Sequence, residues 1–147
     1  MTANVEIRKL RRDDEPRWRE LWNAYLRFYR HHLPEDITAN TFQRLTDPAG
    51  DIHGLVAESG GSLVGFVNYL YHASSWSKSS VCYLEDLFVD PNSRGAGAGR
   101  ALIFAVYAAA DAGGAQGVYW MTQEFNADGR ALYDTLARRT SFIKYER

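Results

Sequence analysis

The stretch that decides the fold is Val89-Asp90-Pro91-Asn92-Ser93-Arg94-Gly95-Ala96-Gly97-Ala98-Gly99-Arg100-Ala101-Leu102. An apolar strand pattern ends at its first residue, and an apolar helical pattern begins at its last. Between them lie three glycines at alternate positions, with an arginine on either side. Glycine lets the backbone turn its N–H groups inward, and a helix N-terminus carries partial positive charge. The stretch therefore predicts a cradle for a phosphate group, to which Arg94 and Arg100 can add charge-assisted hydrogen bonds.

Three kinds of phosphate-binding loop compete for this pattern. A P-loop requires Gly-x-x-x-x-Gly-Lys-Ser/Thr, and the stretch contains no lysine. A dinucleotide-binding fingerprint requires a third glycine three residues after Gly97, where this sequence has Arg100. A plain flexible turn between strand and helix is the remaining alternative, which three alternating glycines with flanking arginines disfavour.

The rest of the chain predicts alternating strands and helices. Strands are predicted at residues 5–9, 52–58, 63–71, 81–89, 117–122 and 142–145. The first helix begins near residues 13–16 and ends before Pro34, and Thr38 caps a short second helix running to about Leu45. A third helix follows the glycines and ends at Gly113, and a fourth covers residues 128–138. This order, β-α-α-β-β-β-α-β-α-β, predicts an α/β (α+β) fold with a mixed sheet and about four helices.

Composition narrows the class of protein. The 147 residues contain no repeat, low-complexity tract or linker, which indicates a single domain over residues 1–147. Cys82 is the one cysteine, so no internal disulfide is possible, and no Cys/His cluster has the spacing of a metal site. No apolar segment is long enough for a signal peptide or a membrane span, so we expect a cytoplasmic protein without a membrane partner.

The net charge of −1 is unevenly distributed along the chain. Residues 1–44 carry +2, residues 45–93 carry −5, and residues 94–147 carry +2. An acidic middle followed by a basic segment suits a cationic substrate beside an anionic cofactor, although ordinary unevenness explains it equally well. No basic stripe indicates a nucleic-acid partner.

At this point the sequence resembles a known family. Arg94-Gly95-Ala96-Gly97-Ala98-Gly99 fits the Arg/Gln-x-x-Gly-x-Gly/Ala pattern of the GNAT superfamily of N-acetyltransferases, and the element order matches that fold across nearly the whole chain. The preceding segment from Tyr83 to Val89 is similar to the branch of spermidine/spermine, thialysine and small histone-or-polyamine acetyltransferases. The later Asn126 and Tyr133 pair adds to the likeness. The resemblance implies a mostly antiparallel central sheet, acetyl-CoA as cosubstrate and a homodimer.

The resemblance also implies which residues bind the cofactor. The backbone of residues 87–89 would pair with the pantetheine arm, and the amides of the glycine loop would surround the pyrophosphate. Asn126 would hydrogen-bond the cofactor, and Tyr133 would stand beside the thioester sulfur. The full set of implied cofactor-binding residues is Leu87, Phe88, Val89, Arg94, Gly95, Ala96, Gly97, Ala98, Gly99, Arg100 and Asn126.

Acetyl transfer to an amine needs a proton acceptor, a stabilised oxyanion and a proton for the departing thiolate. We assign the proton donor to Tyr133, because a phenol is protonated at neutral pH. Glu85 is the candidate proton acceptor or anchor for the amine. Side chains alternate on a strand, so Asp86 should point to the opposite face unless a bulge intervenes. A backbone N–H at Phe88 or Val89 would stabilise the oxyanion.

The first helix and the loop after it are candidates for the acceptor cleft. Its candidate lining residues are Tyr25, Phe28, Tyr29, His31, His32 and Trp76. Tyr29 is the substrate contact we select from this set, while Trp18 and Trp22 are assigned to the core. Cys82 lies early in its strand with no histidine nearby in sequence, so we disfavour a covalent acetyl-enzyme.

The sequence therefore predicts an N-acetyltransferase that acts on a primary amine by direct attack in a ternary complex. The acceptor could be a polyamine, an amino acid or a lysine-like group, as a small molecule or on a peptide. A non-catalytic CoA-binding sensor or regulatory module is the alternative. After the tyrosine, the family often has a Gly-Phe step, whereas this chain has Arg139-Thr140-Ser141-Phe142. This departure from the family pattern affects the expected course of the last strand and any dimer contact made there.

Overall fold

A computed structural model describes residues 4–147. Its strands are β1 (Glu6–Lys9), β2 (His53–Ser59), β3 (Ser62–His72), β4 (Val81–Val89) and β5 (Val118–Tyr119). Its α-helices are α1 (Glu15–Phe28), α2 (Glu35–Thr46), α3 (Ala98–Ala112) and α4 (Ala127–Leu136). The five strands form one sheet in the order β1-β2-β3-β4-β5. Strands β1 to β4 pair antiparallel and β4 pairs parallel with β5, which confirms the predicted mixed, mostly antiparallel sheet.

Each face of the sheet is covered by its own apolar cluster. On one face, the apolar side of α1 packs with α2 against β3 and β4, and Trp18 stacks on Trp22 with ring centroids 5.4 Å apart. On the other face, α3 buries Leu102, Ile103 and Val106 against the sheet. Burying a large aliphatic or aromatic side chain stabilises a fold by roughly 1.5–3 kcal/mol. Two such layers hold the sheet between helix pairs and fix where the ends of its strands lie.

The second helix begins earlier than predicted. Thr38 does not cap it; α2 starts at Glu35, directly after Pro34, and Thr38 is buried within the helix. The physical reason is that proline presets the backbone for a helix start, and Glu35 and Asp36 place negative charge in the first turn, where the helix dipole favours it.

The predicted last strand is wrong. Residues 137–147 are neither helix nor strand, and the side chains of Phe142, Ile143 and Tyr145 are 87%, 75% and 85% exposed. A strand needs a neighbour to accept its hydrogen bonds, and within residues 4–147 this tail has none. The strand predicted at 117–122 is likewise reduced to Val118–Tyr119.

Within residues 4–147, no helix combines the length and apolar character needed to cross a membrane.

Candidate functional site

The sheet opens into a wedge between β4 and β5. The two strands pair only at Cys82 with Val118 and at Tyr83 with Tyr119, as far as the described residues go. Beyond Tyr83, β4 continues for six residues along β3 without β5 beside it. The C-terminal half of β4 therefore presents an unpaired edge, and the family resemblance implies that the pantetheine arm binds there.

Hydrogen-bond alternation decides which backbone groups face this wedge. The Asp90 N–H donates to the Val64 carbonyl at 2.8 Å, and the antiparallel register then turns the backbone groups of Asp86 and Phe88 toward β3. The backbone groups of Leu87 and Val89 point the other way, into the wedge. The amide of Phe88 is thus turned away from the predicted oxyanion position, and that of Val89 is turned toward it.

The glycine loop lies at the end of the same strand. Gly95 and Gly97 have φ angles of 90° and 85°, which side chains disfavour, and Gly97 is the N-cap of α3. The Ala101 N–H makes the first helical bond, to the Gly97 carbonyl, so the amides of residues 98–100 have no carbonyl partner in the helix. Arg94 Nε donates to the Val89 carbonyl at 3.2 Å and ties the loop to β4. Ala96 is exposed between the two glycines.

The third glycine serves a different purpose. A Cβ at Gly99 would lie 3.1 Å from Leu132 Cδ2, so glycine allows α4 to approach the start of α3 closely. Arg100 reaches across the same junction, where its Nη2 donates to Thr135 Oγ1 at 3.1 Å. The loop and α4 therefore form one assembly at the C-terminal end of β4.

Tyr133 lies on α4 near the wedge. Its ring packs edge to face on Trp120, with centroids 5.5 Å apart. Burial and the phenol of Tyr29 raise the pKa of Tyr133 to about 12, so the hydroxyl keeps its proton at neutral pH. Tyr29, the other tyrosine selected from the sequence, therefore acts on Tyr133 electrostatically.

The end of α1 reaches toward the segment before α4. Phe28 of α1 contacts Phe125 with ring centroids 6.3 Å apart. Tyr29 packs edge to face on Tyr25, whose ring in turn contacts Phe88 of β4. Aromatic side chains at the end of α1 thus approach both β4 and the segment that leads into α4.

Asn126 caps α4. Its Oδ1 accepts from the Gly129 N–H at 3.2 Å, and its Nδ2 donates to Thr122 Oγ1 at 3.0 Å. A Cβ at Gly129 would lie 2.4 Å from Asn126 Nδ2, so this cap requires the glycine. These contacts position the start of α4, and the cofactor contact assigned to Asn126 stays a prediction.

A β-bulge places the two acidic residues of β4 on one face. Asn68 pairs with Asp86 and Tyr69 pairs with Leu84, so Glu85 is the extra residue in the strand. The Tyr25 hydroxyl, on α1, donates to Asp86 Oδ1 at 2.7 Å, while Arg44 of α2 acts electrostatically on Glu85. The expectation that Asp86 points to the opposite face is therefore wrong, because the bulge shifts the alternation by one residue.

The environment of Glu85 suits proton exchange with an amine. The residue is exposed overall, but partial burial and the neighbouring carboxylate of Asp86 raise its pKa, while Arg44 opposes the shift. A raised pKa makes a carboxylate a better proton acceptor.

Sequence reasoning missed a buried polar cluster behind Glu85. Asn68 is 4% exposed, and its Nδ2 donates to Asp86 Oδ2 at 3.1 Å. Asp86 thus accepts hydrogen bonds from both α1 and β3. The signal was available: between Leu63 and Leu70, Asn68 is the one amide side chain, and its neighbours in the strand are apolar, aromatic or glycine.

Other sequence candidates lie apart from this cluster. Trp76 is 89% exposed on the loop between β3 and β4, and His31 and His32 are exposed after α1. Cys82 is fully buried, and burial raises the pKa of its thiol to about 11, which leaves little nucleophilic thiolate at neutral pH. Among residues 4–147 no group of His, Cys, Asp and Glu side chains is arranged to hold a metal ion.

Comparison with known proteins gives a consistent result. The sequence pattern of the acetyltransferase (GNAT) family matches residues 15–137. A D-amino-acid N-acetyltransferase of Saccharomyces cerevisiae is 34% identical over 145 residues, covering 97% of this chain and 90% of the relative.

Solved structures share the fold. A ribosomal-protein-alanine N-acetyltransferase of Brucella melitensis biovar Abortus 2308 superposes with a TM-score of 0.80 at 24% identity, over 98% of both chains. An aminoglycoside N-acetyltransferase in complex with CoA gives a TM-score of 0.84 at 20% identity, over 100% of this chain and 96% of the other.

Proposed function

Since the chain belongs to the GNAT family and is an acetyltransferase that uses acetyl-CoA and acts on amine acceptors, we propose that a primary amine attacks the thioester directly within a ternary complex. One observation carries this proposal. The Tyr25 hydroxyl bonds Asp86, beside Glu85, and the Tyr25 ring packs on Tyr29, which acts electrostatically on Tyr133 near the open edge of β4. These links support Glu85 as the proton acceptor and Tyr133 as the proton donor of one reaction site.

The residues present fit the cosubstrate. The wedge offers the backbone of Leu87 and Val89 to an extended amide-bearing arm, and the three amides at the start of α3 offer donors to a pyrophosphate. Arg94 and Arg100 add positive charge nearby. When bound, acetyl-CoA supplies an acetyl group activated as a thioester.

The chain's own residues then perform the proton transfers. Glu85 accepts one proton from the acceptor's ammonium group, which frees the nitrogen lone pair. The Val89 N–H donates a hydrogen bond to the thioester oxygen as negative charge develops on it. As the C–N bond forms and the C–S bond breaks, Tyr133 gives its proton to the departing sulfur. The nitrogen releases its second proton, which restores the Tyr133 hydroxyl directly or through solvent. No step requires Cys82.

We place amino acids first among the acceptors. The yeast relative is named for D-amino acids, and Arg44 lies close enough to influence Glu85 electrostatically. An ammonium at Glu85 and a carboxylate at Arg44 would suit a zwitterion, provided that the acceptor displaces Asp51, which now accepts from Arg44 at 2.9 Å. Polyamines, favoured by the likeness of residues 83–89 to the polyamine branch, and lysine-bearing peptides are the other acceptors.

We further propose that the chain, as one domain, forms a homodimer through its tail. Phe142, Ile143 and Tyr145 are exposed, and the edge of β5 lacks a strand neighbour within residues 4–147. A tail from a second copy would bury these side chains and complete the edge. Location in the cytoplasm stays a prediction from the sequence.

The test is release of free CoA thiol from acetyl-CoA in the presence of single amines. The panel contains D- and L-amino acids, spermidine, a lysine-rich peptide and an aminoglycoside, and Glu85→Gln is assayed in parallel. We expect turnover with at least one amine and its loss on the substitution. A folded protein that binds CoA in calorimetry yet acetylates none of them would overturn the proposal and support a CoA-binding sensor.

A further inference from the structure

Asp86 is a half-buried carboxylate with two hydrogen-bond donors and, within residues 4–147, no paired cation. Tyr25 donates to Oδ1 from α1, and Asn68 donates to Oδ2 from β3. Within residues 4–147 no lysine, arginine or histidine forms a salt bridge with it. Both oxygens accept hydrogen bonds, which favours the ionised carboxylate, while burial acts in the opposite direction and raises the pKa of Asp86.

The bulge makes this charge a close neighbour of Glu85. In a regular strand, adjacent side chains point to opposite faces, and the sheet would separate the two carboxylates. The extra residue at Glu85 removes that separation and leaves both on the face that α1 and α2 cover. Like charges on one face repel, and a proton on either relieves the repulsion.

No other group that faces Glu85 among the described residues adds a negative charge beside it, as Asp86 does. Tyr25 from α1 and Tyr83 from β4 are phenols whose pKa values are raised mainly by burial, so both are neutral where carboxylates titrate. Among the described residues, Arg44 from α2 is the other charged group that acts on Glu85, and it lowers the pKa of Glu85.

We propose that Asp86 is a positioning residue for acetyl transfer: its negative charge, fixed by Tyr25 and Asn68 on the same face as Glu85, makes Glu85 the stronger proton acceptor. The inference rests on the proposed function, in which Glu85 takes the proton of the amine. Asp86 itself exchanges no proton with the substrate.

The substitution Asp86→Asn removes the charge while the shape is kept. The new amide oxygen can still accept from the Tyr25 hydroxyl. Asn68 Oδ1 is buried and has no hydrogen-bond partner among the described residues, so a rotated Asn68 amide can accept from the new NH₂ group. The variant thus separates the role of the charge from the role of the packing.

The experiment follows the glutamate carboxyl carbons by NMR during a pH titration, with Glu85→Gln used to assign the Glu85 signal. In the unmodified protein we expect Glu85 to titrate above the ordinary range of glutamate. In Asp86→Asn we expect its midpoint to fall by about half a pH unit or more. The acidic limb of kcat/KM should move in the same direction, because Glu85 must be ionised to accept a proton.

Two further variants keep the test decisive. Asp111→Asn removes an exposed carboxylate of α3, so it matches the change in net charge and should leave the Glu85 midpoint unchanged. Tyr25→Phe removes one donor that favours ionised Asp86, and should lower the Glu85 midpoint by less than Asp86→Asn does. This variant serves if Asp86→Asn does not fold.

The outcomes distinguish this inference from the proposed function. Equal Glu85 midpoints in the unmodified protein and in Asp86→Asn, or in Tyr25→Phe if only that variant folds, would overturn the role of Asp86, even if turnover is normal and requires Glu85. Absence of turnover in the unmodified protein would remove the proposed function, while the NMR midpoints would still report whether Asp86 acts on Glu85.

Discussion

The phenol ring of Tyr133 meets the indole of Trp120 edge to face, with ring centroids 5.5 Å apart. This contact joins α4 to the residue that follows β5, so both lie on the same side of the wedge. Because the packing involves the ring, the orientation of Tyr133 does not depend on its hydroxyl.

Replacing Tyr133 by phenylalanine should therefore separate chemistry from binding. We expect CoA affinity by calorimetry to stay within about threefold and kcat to fall by on the order of 100-fold or more, because the departing sulfur loses its proton donor. Tyr107→Phe is the matched control, since the Tyr107 hydroxyl bonds the Leu136 carbonyl at 3.1 Å and plays no part in the transfer. Equal turnover in Tyr133→Phe and the unmodified protein would mean that another group donates the proton.

The glycine loop gives a second prediction. In Gly97→Ala the left-handed backbone at a φ of 85° becomes unfavourable by about 1–2 kcal/mol, although a Cβ would meet no atom within 4 Å. We expect CoA to bind about tenfold more weakly, measured by calorimetry. Gly117→Ala, also in open space but without a positive φ, should bind CoA normally. A loss of equal size in both variants would show that loop conformation is not the cause.

The cap of α4 can be tested apart from any cofactor contact. Asn126→Ala should lower the free energy of unfolding by about 1 kcal/mol, because the Gly129 N–H loses its acceptor. Asn126→Asp keeps a hydrogen-bond acceptor, so its free energy of unfolding, measured by urea denaturation, should fall by less. If Asn126→Asp retains stability but binds CoA much more weakly, the side chain contacts the cofactor directly.

Asp86 should make stability depend on pH. Burial raises its pKa despite its two hydrogen bonds, so the native state binds this proton more tightly than the unfolded chain does. The destabilising effect of its charge is absent below the unfolded pKa and develops as pH rises through the folded pKa. Asp86→Asn should thus be more stable than the unmodified protein at pH 7 and similar to it in acid. Lower stability of the variant at pH 7 in urea denaturation would contradict this.

The tail gives a prediction about assembly. Simultaneous replacement of Phe142, Ile143 and Tyr145 by serine should convert a homodimer to a monomer in light scattering, because it removes the apolar area that a second copy would bury. Trp76→Ser also removes an exposed aromatic side chain, but outside the tail, and should leave the dimer intact. A monomeric unmodified protein would refute the proposed dimer.

Local chemistry made most of the fold predictable. The extents of β4 and α3, and the glycine turn between β2 and β3, follow from apolar periodicity and from glycines at left-handed positions. The start of α2 differs from the prediction. Thr38 is a residue type that often caps helices, but Pro34 and the acidic residues Glu35 and Asp36 set the start of α2 three residues earlier. The last strand is unpredictable for a different reason: residues 142–145 are mostly apolar or aromatic, but strand formation depends on a neighbour that the sequence does not reveal.

The candidate site was predictable in its residues and less so in its arrangement. Glu85, Tyr29 and Tyr133 could be selected by type and motif, and the structure places Tyr29 near Tyr133. Glu85 and Asp86 share one face because of the way β3 pairs with β4. At the bulge, β4 contributes one residue more than β3 does. Tertiary packing sets this register. It also sets the hydrogen bond between Tyr25 and Asp86, which are 61 positions apart in the sequence.

The wedge between β4 and β5 has a consequence for the abundance of the folded protein. In the proposed complex, acetyl-CoA would lie along Leu87 and Val89 and would take the place of a strand beside the unpaired half of β4. Any ligand that binds only the native state adds to its stability, by about 2.7 kcal/mol at a free concentration 100 times Kd. The resistance of this enzyme to unfolding and proteolysis would then rise and fall with the cell's supply of acetyl-CoA, which makes its lifetime a readout of metabolic state.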